Sequence, residues 1–145
     1  MSIGCSWEAR FPTWFTDQQW TEGTRRILDR LARNADAIYL IEANPPLGFN
    51  GPTCLMQHDG EASAGEVCSA KADSPLREHV AALLRKVASE HPQTHWIETA
   101  SLTCPQNKCQ AWRNGTVVYR DEQHLTASFV ASPEVAEHFQ KQMLH

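Results

Sequence analysis

The strongest constraint on this chain is a nearly unbroken apolar run at residues 37–43, Ala-Ile-Tyr-Leu-Ile-Glu-Ala. It is far too short to span a bilayer. Continuous rather than alternating apolarity predicts a strand buried on both faces of a parallel sheet. Helical patterns flank it. Thr16 and Gln19 form a capping box with Asp17 in the first turn, and Trp20, Ile27, Leu28 and Leu31 recur at helical spacing to about Arg33, with Asn34 as C-cap. Downstream, Ser74-Pro75 predicts a second helix, with Ser as N-cap and Pro in the first turn. Leu76, Val80, Leu83, Leu84 and Val87 form its apolar stripe.

Further strand signals lie on either side. Residues 2–7 read as a short strand, followed by a loop carrying Phe11, Pro12, Trp14 and Phe15. Residues 95–99 read as a strand around Trp96 and Ile97. Residues 110–119 read as a hairpin turning at Asn114-Gly115, a pair suited to a type I′ turn. A last helix starts at Ser132-Pro133, with Val135, Ala136, Phe139 and Met143 on one face. Strands alternating with helices predict an α/β fold built on a right-handed parallel layer. The chain's 145 residues suit a single domain spanning 1–145. Asn44-Pro45-Pro46 ends the central strand, and residues 44–73 are then rich in Gly, Pro and Ser. So long a connection is expected to be functional or pinned.

Composition narrows the partners. With 41% hydrophobic and 21% charged residues, the chain can build a core and is neither disordered nor fibrous. A net charge of −4 argues against nucleic acid as a partner, because that affinity comes largely from cations. Residues 1–5 carry no basic segment and no long apolar stretch, so they do not read as a signal peptide. Of the five cysteines, Cys54/Cys68 and Cys104/Cys109 form local pairs in loop-like stretches, the pattern of disulfides in an oxidising compartment. Reduced thiols and a zinc site are the competing readings, the latter without the usual close knuckles. Cys5 reads as a small buried hydrophobe.

The sharpest chemical signal is Tyr119-Arg120-Asp121-Glu122-Gln123-His124-Leu125-Thr126. An Asp three residues before a His can bond the imidazole Nδ1 from the same loop and leave Nε2 as a general base. Alone, the spacing also fits two surface polar residues. The stretch resembles the last conserved block of SGNH (GDSL-like) hydrolases, in particular the periplasmic SGNH domain fused behind membrane acyltransferase-3 proteins that O-acylate cell-surface polysaccharides. The strand ending in a Trp segment (Ile3 to Trp7), the Asn-Pro-Pro and Cys-Leu stretch (Asn44 to Leu55) and the Cys-Pro-x-x-x-Cys loop (Cys104 to Cys109) fit the same order.

The resemblance implies a three-layer α/β/α fold of the SGNH-hydrolase or flavodoxin-like type with a C-terminal hairpin. It implies His124 as general base and Asp121 as its orienting partner. It implies an acyl donor and a polysaccharide acceptor, a membrane acyltransferase domain in the parent protein, an extracytoplasmic location and no cofactor or metal. The family's nucleophilic Ser lies in a Gly-Asp-Ser block, which this sequence lacks. The resemblance places that block and the oxyanion Gly block before Met1, and no Asn stands in the 7–10 segment where the family's third block would supply an oxyanion donor. The chain is therefore expected to be an incomplete, inactive SGNH domain missing its first strands. Its strand at residues 3–7 would be an open edge prone to self-association. The alternative is a non-catalytic α/β interaction module.

The other candidates have ordinary readings. Cys5 and Ser6 lack the Gly-x-Ser-x-Gly elbow of a strand-to-helix nucleophile, and Ser63 sits in the Gly-rich stretch. His58 with Asp59 suits exposed loop polarity better than a metal or substrate site. His79, His91, His95 and His138 lack metal-ligand spacing. Phe11, Trp14, Phe15 and Trp20 fit packing better than stacking on a sugar. The sequon Asn114-Gly115-Thr116 is explained by the turn.

Overall fold

A computed structural model describes residues 16–144. The strand expected at residues 2–7, the aromatic loop at 11–15 and the candidates Cys5 and Ser6 lie outside the described residues. In chain order the elements are α1 (Asp17–Leu31), β1 (Ile38–Ile41), α2 (Gly51–Gln57), α3 (Ala64–Val67), β2 (Ser69–Lys71), α4 (Pro75–Ser89), β3 (Thr94–Ile97), α5 (Ala100–Thr103), β4 (Lys108–Gln110), β5 (Trp112–Arg113), β6 (Thr116–Val117), α6 (Ala127–Val130) and α7 (Pro133–Met143). The fold is α/β. Its described strands pair as two-stranded sheets: β1 with β3, β2 with β4, and β5 with β6. The chain divides into two compact units, one running to Leu40 and including Pro75–Trp96, the other comprising Ile41–Ser74 and the chain from Ile97 onward.

In the first unit, the capping box forms as expected. Gln19 N donates to Thr16 Oγ1 at 3.2 Å, and Thr16 N donates to Gln19 Oε1 at 2.8 Å. α1 and α4 lie side by side, tied near their starts by His79 to Asp17 at 2.8 Å and, at the other end, by His91 just past α4 to Asp29 in the last turn of α1 at 2.9 Å. Arg25 grips Glu90 with two bonds between them. Leu28, Ile38 and Val87 are the buried core, with Ala32, Ala35 and Leu40 packed against it. Of the α1 stripe only Leu28 is buried, while Ile27 and Leu31 are exposed.

Strand β1 departs from expectation. Ile38 lies on the face closed by Leu28 of α1 and Val87 of α4, but Tyr39 is 38% and Ile41 56% exposed. Within β1, then, burial alternates: Ile38 is buried and Leu40 half-buried, while Tyr39 and Ile41 are exposed. Ile38 N donates to Gln93 O at 2.7 Å and Glu42 N to Ile97 O at 2.9 Å. Tyr39 stacks on His95 with ring centroids 5.3 Å apart.

The second unit is organised around Leu47, Cys68, Leu102, Cys104, Cys109, Ala111, Val118, Tyr119, Phe129 and Val135. Residues 44–73 are more ordered than their composition suggests: they hold α2, α3 and β2. The Asn50 side chain caps α2 by accepting from Thr53 N at 2.9 Å, and a Pro occupies its first turn. The segment is pinned as expected, by a Cys54–Cys68 disulfide with Cα atoms 5.8 Å apart. Cys104–Cys109 is the second bridge, with Cα atoms 4.1 Å apart across a tight loop in which Gln106 and Asn107 take φ of 54° and 63°. The bridges flank one antiparallel ladder in which Ala70 of β2 faces Cys109 of β4.

The hairpin turns at Asn114-Gly115 with φ of 50° and 81°, both positive as a type I′ turn requires. Its ladder is shorter than expected, because residues 108–110 pair with β2 instead. Ser74, the expected cap of α4, precedes that helix, yet its buried hydroxyl has no hydrogen-bond partner among the described residues, and the same holds for Ser132 ahead of α7. No described helix is long and apolar enough to cross a membrane.

Candidate active site

The Asp121–His124 turn grows out of the end of the hairpin. Tyr119 and Leu125 form an antiparallel bridge, and Arg120 N donates to His124 O at 2.9 Å, closing the intervening residues into a tight loop. Thr126 then anchors its exit: its N donates to Val118 O at 2.9 Å, its hydroxyl donates to Val117 O, and its Oγ1 accepts from Phe129 N to cap α6. Tyr119 is fully buried. Its hydroxyl donates to Pro45 O at 2.8 Å and sits 3.3 Å from Cys104 Sγ.

Within this frame the Asp121 carboxylate does two things. Its Oδ1 accepts from His124 N at 2.7 Å and from Gln123 N at 2.9 Å, and its Oδ2 meets His124 Nδ1 at 2.8 Å. The backbone N–H of His124, then that of Gln123, hold the Asp121 carboxyl well below the usual carboxylate range, and the imidazole adds to the effect. Asp121 therefore stays ionised at any physiological pH. An ionised carboxylate at Nδ1 selects the tautomer with the proton there and leaves the Nε2 lone pair available. The His124 side chain is 58% exposed, and its Nε2 makes no hydrogen bond among the described residues. The pair can orient and polarise a proton acceptor facing solvent. Arg120 Nε lies 3.6 Å from Asp121 Oδ2.

The loop is also held from outside by residues 44–48, which follow β1. Leu47 N and Gly48 N donate to Glu122 O at 2.8 and 3.1 Å, and Asn44 Nδ2 donates to Gln123 O at 3.0 Å. Asn-Pro-Pro was legible as a strand stop, but its role in holding this loop was not. A strand terminator and a distant Asp-x-x-His carry no local mark that they touch.

The remaining candidates scatter. His58 Nδ1 pairs with Glu61 Oε2 at 3.0 Å, not with Asp59. His79 and His91 join α1 to α4, His95 stacks on Tyr39, and His138 Nε2 lies 2.6 Å from Glu98 O. Ser63 precedes α3 without a side-chain cap, and Trp20 lies in α1. Asn114 is at the exposed hairpin tip. Cys54, Cys68, Cys104 and Cys109 are bonded in their two pairs, and among the described residues no group of three or more His, Cys, Asp or Glu gathers as a metal site would.

The family model described as "SGNH domain (fused to AT3 domains)" matches residues 4–137. No curated protein and no solved structure matches the chain.

Proposed function

The chain belongs to the SGNH domain family of the type fused to AT3 domains, and from that premise we propose that Asp121 and His124 are the base half of an acyl-ester centre. The observation that carries the reading is the 2.8 Å contact between Asp121 Oδ2 and His124 Nδ1, on an imidazole side chain that is 58% exposed. In the proposed mechanism, His124 Nε2 takes the proton of a serine hydroxyl as that oxygen attacks the acyl carbonyl. The imidazolium so formed is stabilised by Asp121, and it returns the proton to the leaving alkoxide. Water or a sugar hydroxyl then releases the acyl group by the same proton route in reverse. The substrate class is an O-acyl ester on a cell-surface polysaccharide. The parent protein carries a membrane acyltransferase domain, and the location is periplasmic, in keeping with the two disulfides.

No Gly-Asp-Ser block occurs among the 145 residues. In this reading the nucleophile comes from outside this chain, and the chain by itself is one inactive portion of a parallel three-layer domain. The exposed face of β1, with Tyr39 and Ile41, supports a tendency to self-associate through the incomplete layer.

The test is direct. The purified chain on an aryl acetate should turn over no faster than its His124→Ala variant, and a fluorophosphonate should label no residue. Turnover that depends on His124, with covalent label on Ser6 or Cys5, would show that the chain holds its own nucleophile and would overturn the inactive-portion reading.

A further inference from the structure

We infer that Asn44 is a positioning residue for His124, acting through the peptide bond that precedes the imidazole. The inference rests on the reading of His124 as a general base and extends it to a side chain nearly eighty positions away in sequence.

The peptide joining Gln123 to His124 is held on both of its polar sides. Its N–H donates to Asp121 Oδ1 at 2.7 Å, and its C=O accepts from Asn44 Nδ2 at 3.0 Å. The plane of that peptide sets the direction in which the His124 Cα–Cβ bond leaves the backbone, and so where Nδ1 sits relative to Asp121 Oδ2. The preceding peptide is held in the same manner. Gln123 N donates to Asp121 Oδ1, and Glu122 O accepts from Leu47 N and Gly48 N. One side of the turn is thus organised by the Asp121 carboxylate. The other is organised by residues 44–48, in which Asn44 supplies the side-chain donor.

Hydrogen-bond accounting separates this role from an oxyanion role. A carboxamide NH2 has two protons. Asn44 Nδ2 bonds Pro45 O at 3.2 Å and Gln123 O at 3.0 Å, so both are committed to carbonyls and none is left for a substrate oxyanion. Asn44 acts on the base, by removing one freedom of the turn that presents it. An Asp121–His124 pair in an unbraced exposed loop would lose its alignment to water, since His124 is largely exposed.

The experiment reads the tautomer of neutral His124 by nitrogen-15 imidazole shifts in the full 145-residue chain, which needs no activity. Wild type is expected with the proton on Nδ1, facing Asp121. Asn44→Ala should lower the Nδ1–H to Nε2–H ratio about fivefold, the equivalent of one ordinary hydrogen bond. Asn44→Asp keeps the size, removes both donors and should give the same shift, which serves if the alanine variant is poorly folded. Tyr119→Phe deletes a different side-chain tie to residues 44–48, the bond from Tyr119 OH to Pro45 O, and leaves the hydrogen bonds of the Gln123 peptide in place. It should lower the unfolding midpoint and leave the tautomer ratio unchanged. A wild-type Nδ1–H tautomer that persists in both folded Asn44 variants would overturn the Asn44 inference alone. A Tyr119→Phe variant that shifts the ratio as far as Asn44→Ala would also overturn it, by showing general loosening. A wild-type ring already protonated at Nε2 would overturn the dyad and the Asn44 role together.

Discussion

The two disulfides offer a quantitative test of how the second unit is held. Consider single-bridge proteins, all carrying Cys5→Ala. One keeps Cys54–Cys68 and has alanine at Cys104 and Cys109, and the other keeps Cys104–Cys109. Comparing each protein oxidised with itself reduced leaves the sulfur atoms in place, so packing largely cancels and loop closure remains. Cys54–Cys68 closes a separation of 14 residues. The chain-entropy relation gives it about 3 kcal/mol. Cys104–Cys109 closes 5 residues, for about 2 kcal/mol by the same relation. The assay is urea unfolding followed by tryptophan fluorescence, with and without reductant. Cys54–Cys68 should contribute more by roughly 1 kcal/mol, because it closes the longer loop. A larger effect from Cys104–Cys109, or less than about 1 kcal/mol from Cys54–Cys68, would refute the argument that closure across residues 44–73 organises this unit.

Further expectations follow from single contacts. At Gly51 an added Cβ would lie 3.1 Å from Leu47 Cδ2, 3.2 Å from Ala111 Cβ and 3.4 Å from Tyr119 O. Overpacking against that wall should outweigh alanine's helical preference, so Gly51→Ala is expected to destabilise by about 1 kcal/mol in urea unfolding, and a stabilised variant would contradict it. His91 is held protonated chiefly by the Val87 carbonyl and then by Asp29, which raises it above its ordinary 6.5. Its contribution is therefore complete below pH 6.5 and lost as pH rises through the raised value, so unfolding midpoints should fall over that range in wild type and less steeply in His91→Gln. Sedimentation at micromolar concentration should show self-association through incompletely covered strands. A monodisperse monomer with a sharp thermal transition would favour a self-sufficient interaction module.

What was legible in the sequence was local. Thr16 and Gln19 announce α1 because both halves of a capping box lie within one turn. Asn114-Gly115 announces the hairpin because few other pairs accept positive φ twice. Asp121 and His124 fall three residues apart, so one turn suffices to join them. The losses were non-local or context-dependent. Gly and Pro in residues 44–73 concealed α2, although Asn50 and the Pro after Gly51 are a sound helix start. The apolar run of β1 could not reveal that Tyr39 and Ile41 face solvent, since burial depends on what lies opposite. Residues 108–110 pair with β2 rather than prolonging the hairpin, because the Cys104–Cys109 loop and Cys68 bring those strands together. Asn44 could not be tied to His124 by any spacing rule.

The central claim is that His124, oriented by Asp121, is the proton acceptor of an acyl-ester centre whose serine comes from outside this chain. The most direct measurement supplies that serine. The chain is joined to a Gly-Asp-Ser-bearing segment of an SGNH domain, and hydrolysis of an aryl acetate is measured for the fusion, its His124→Ala variant and its Asp121→Asn variant. The account predicts serine-dependent turnover that falls by about a hundredfold or more in His124→Ala and substantially in Asp121→Asn. Serine-dependent turnover that is unchanged in both variants would contradict it.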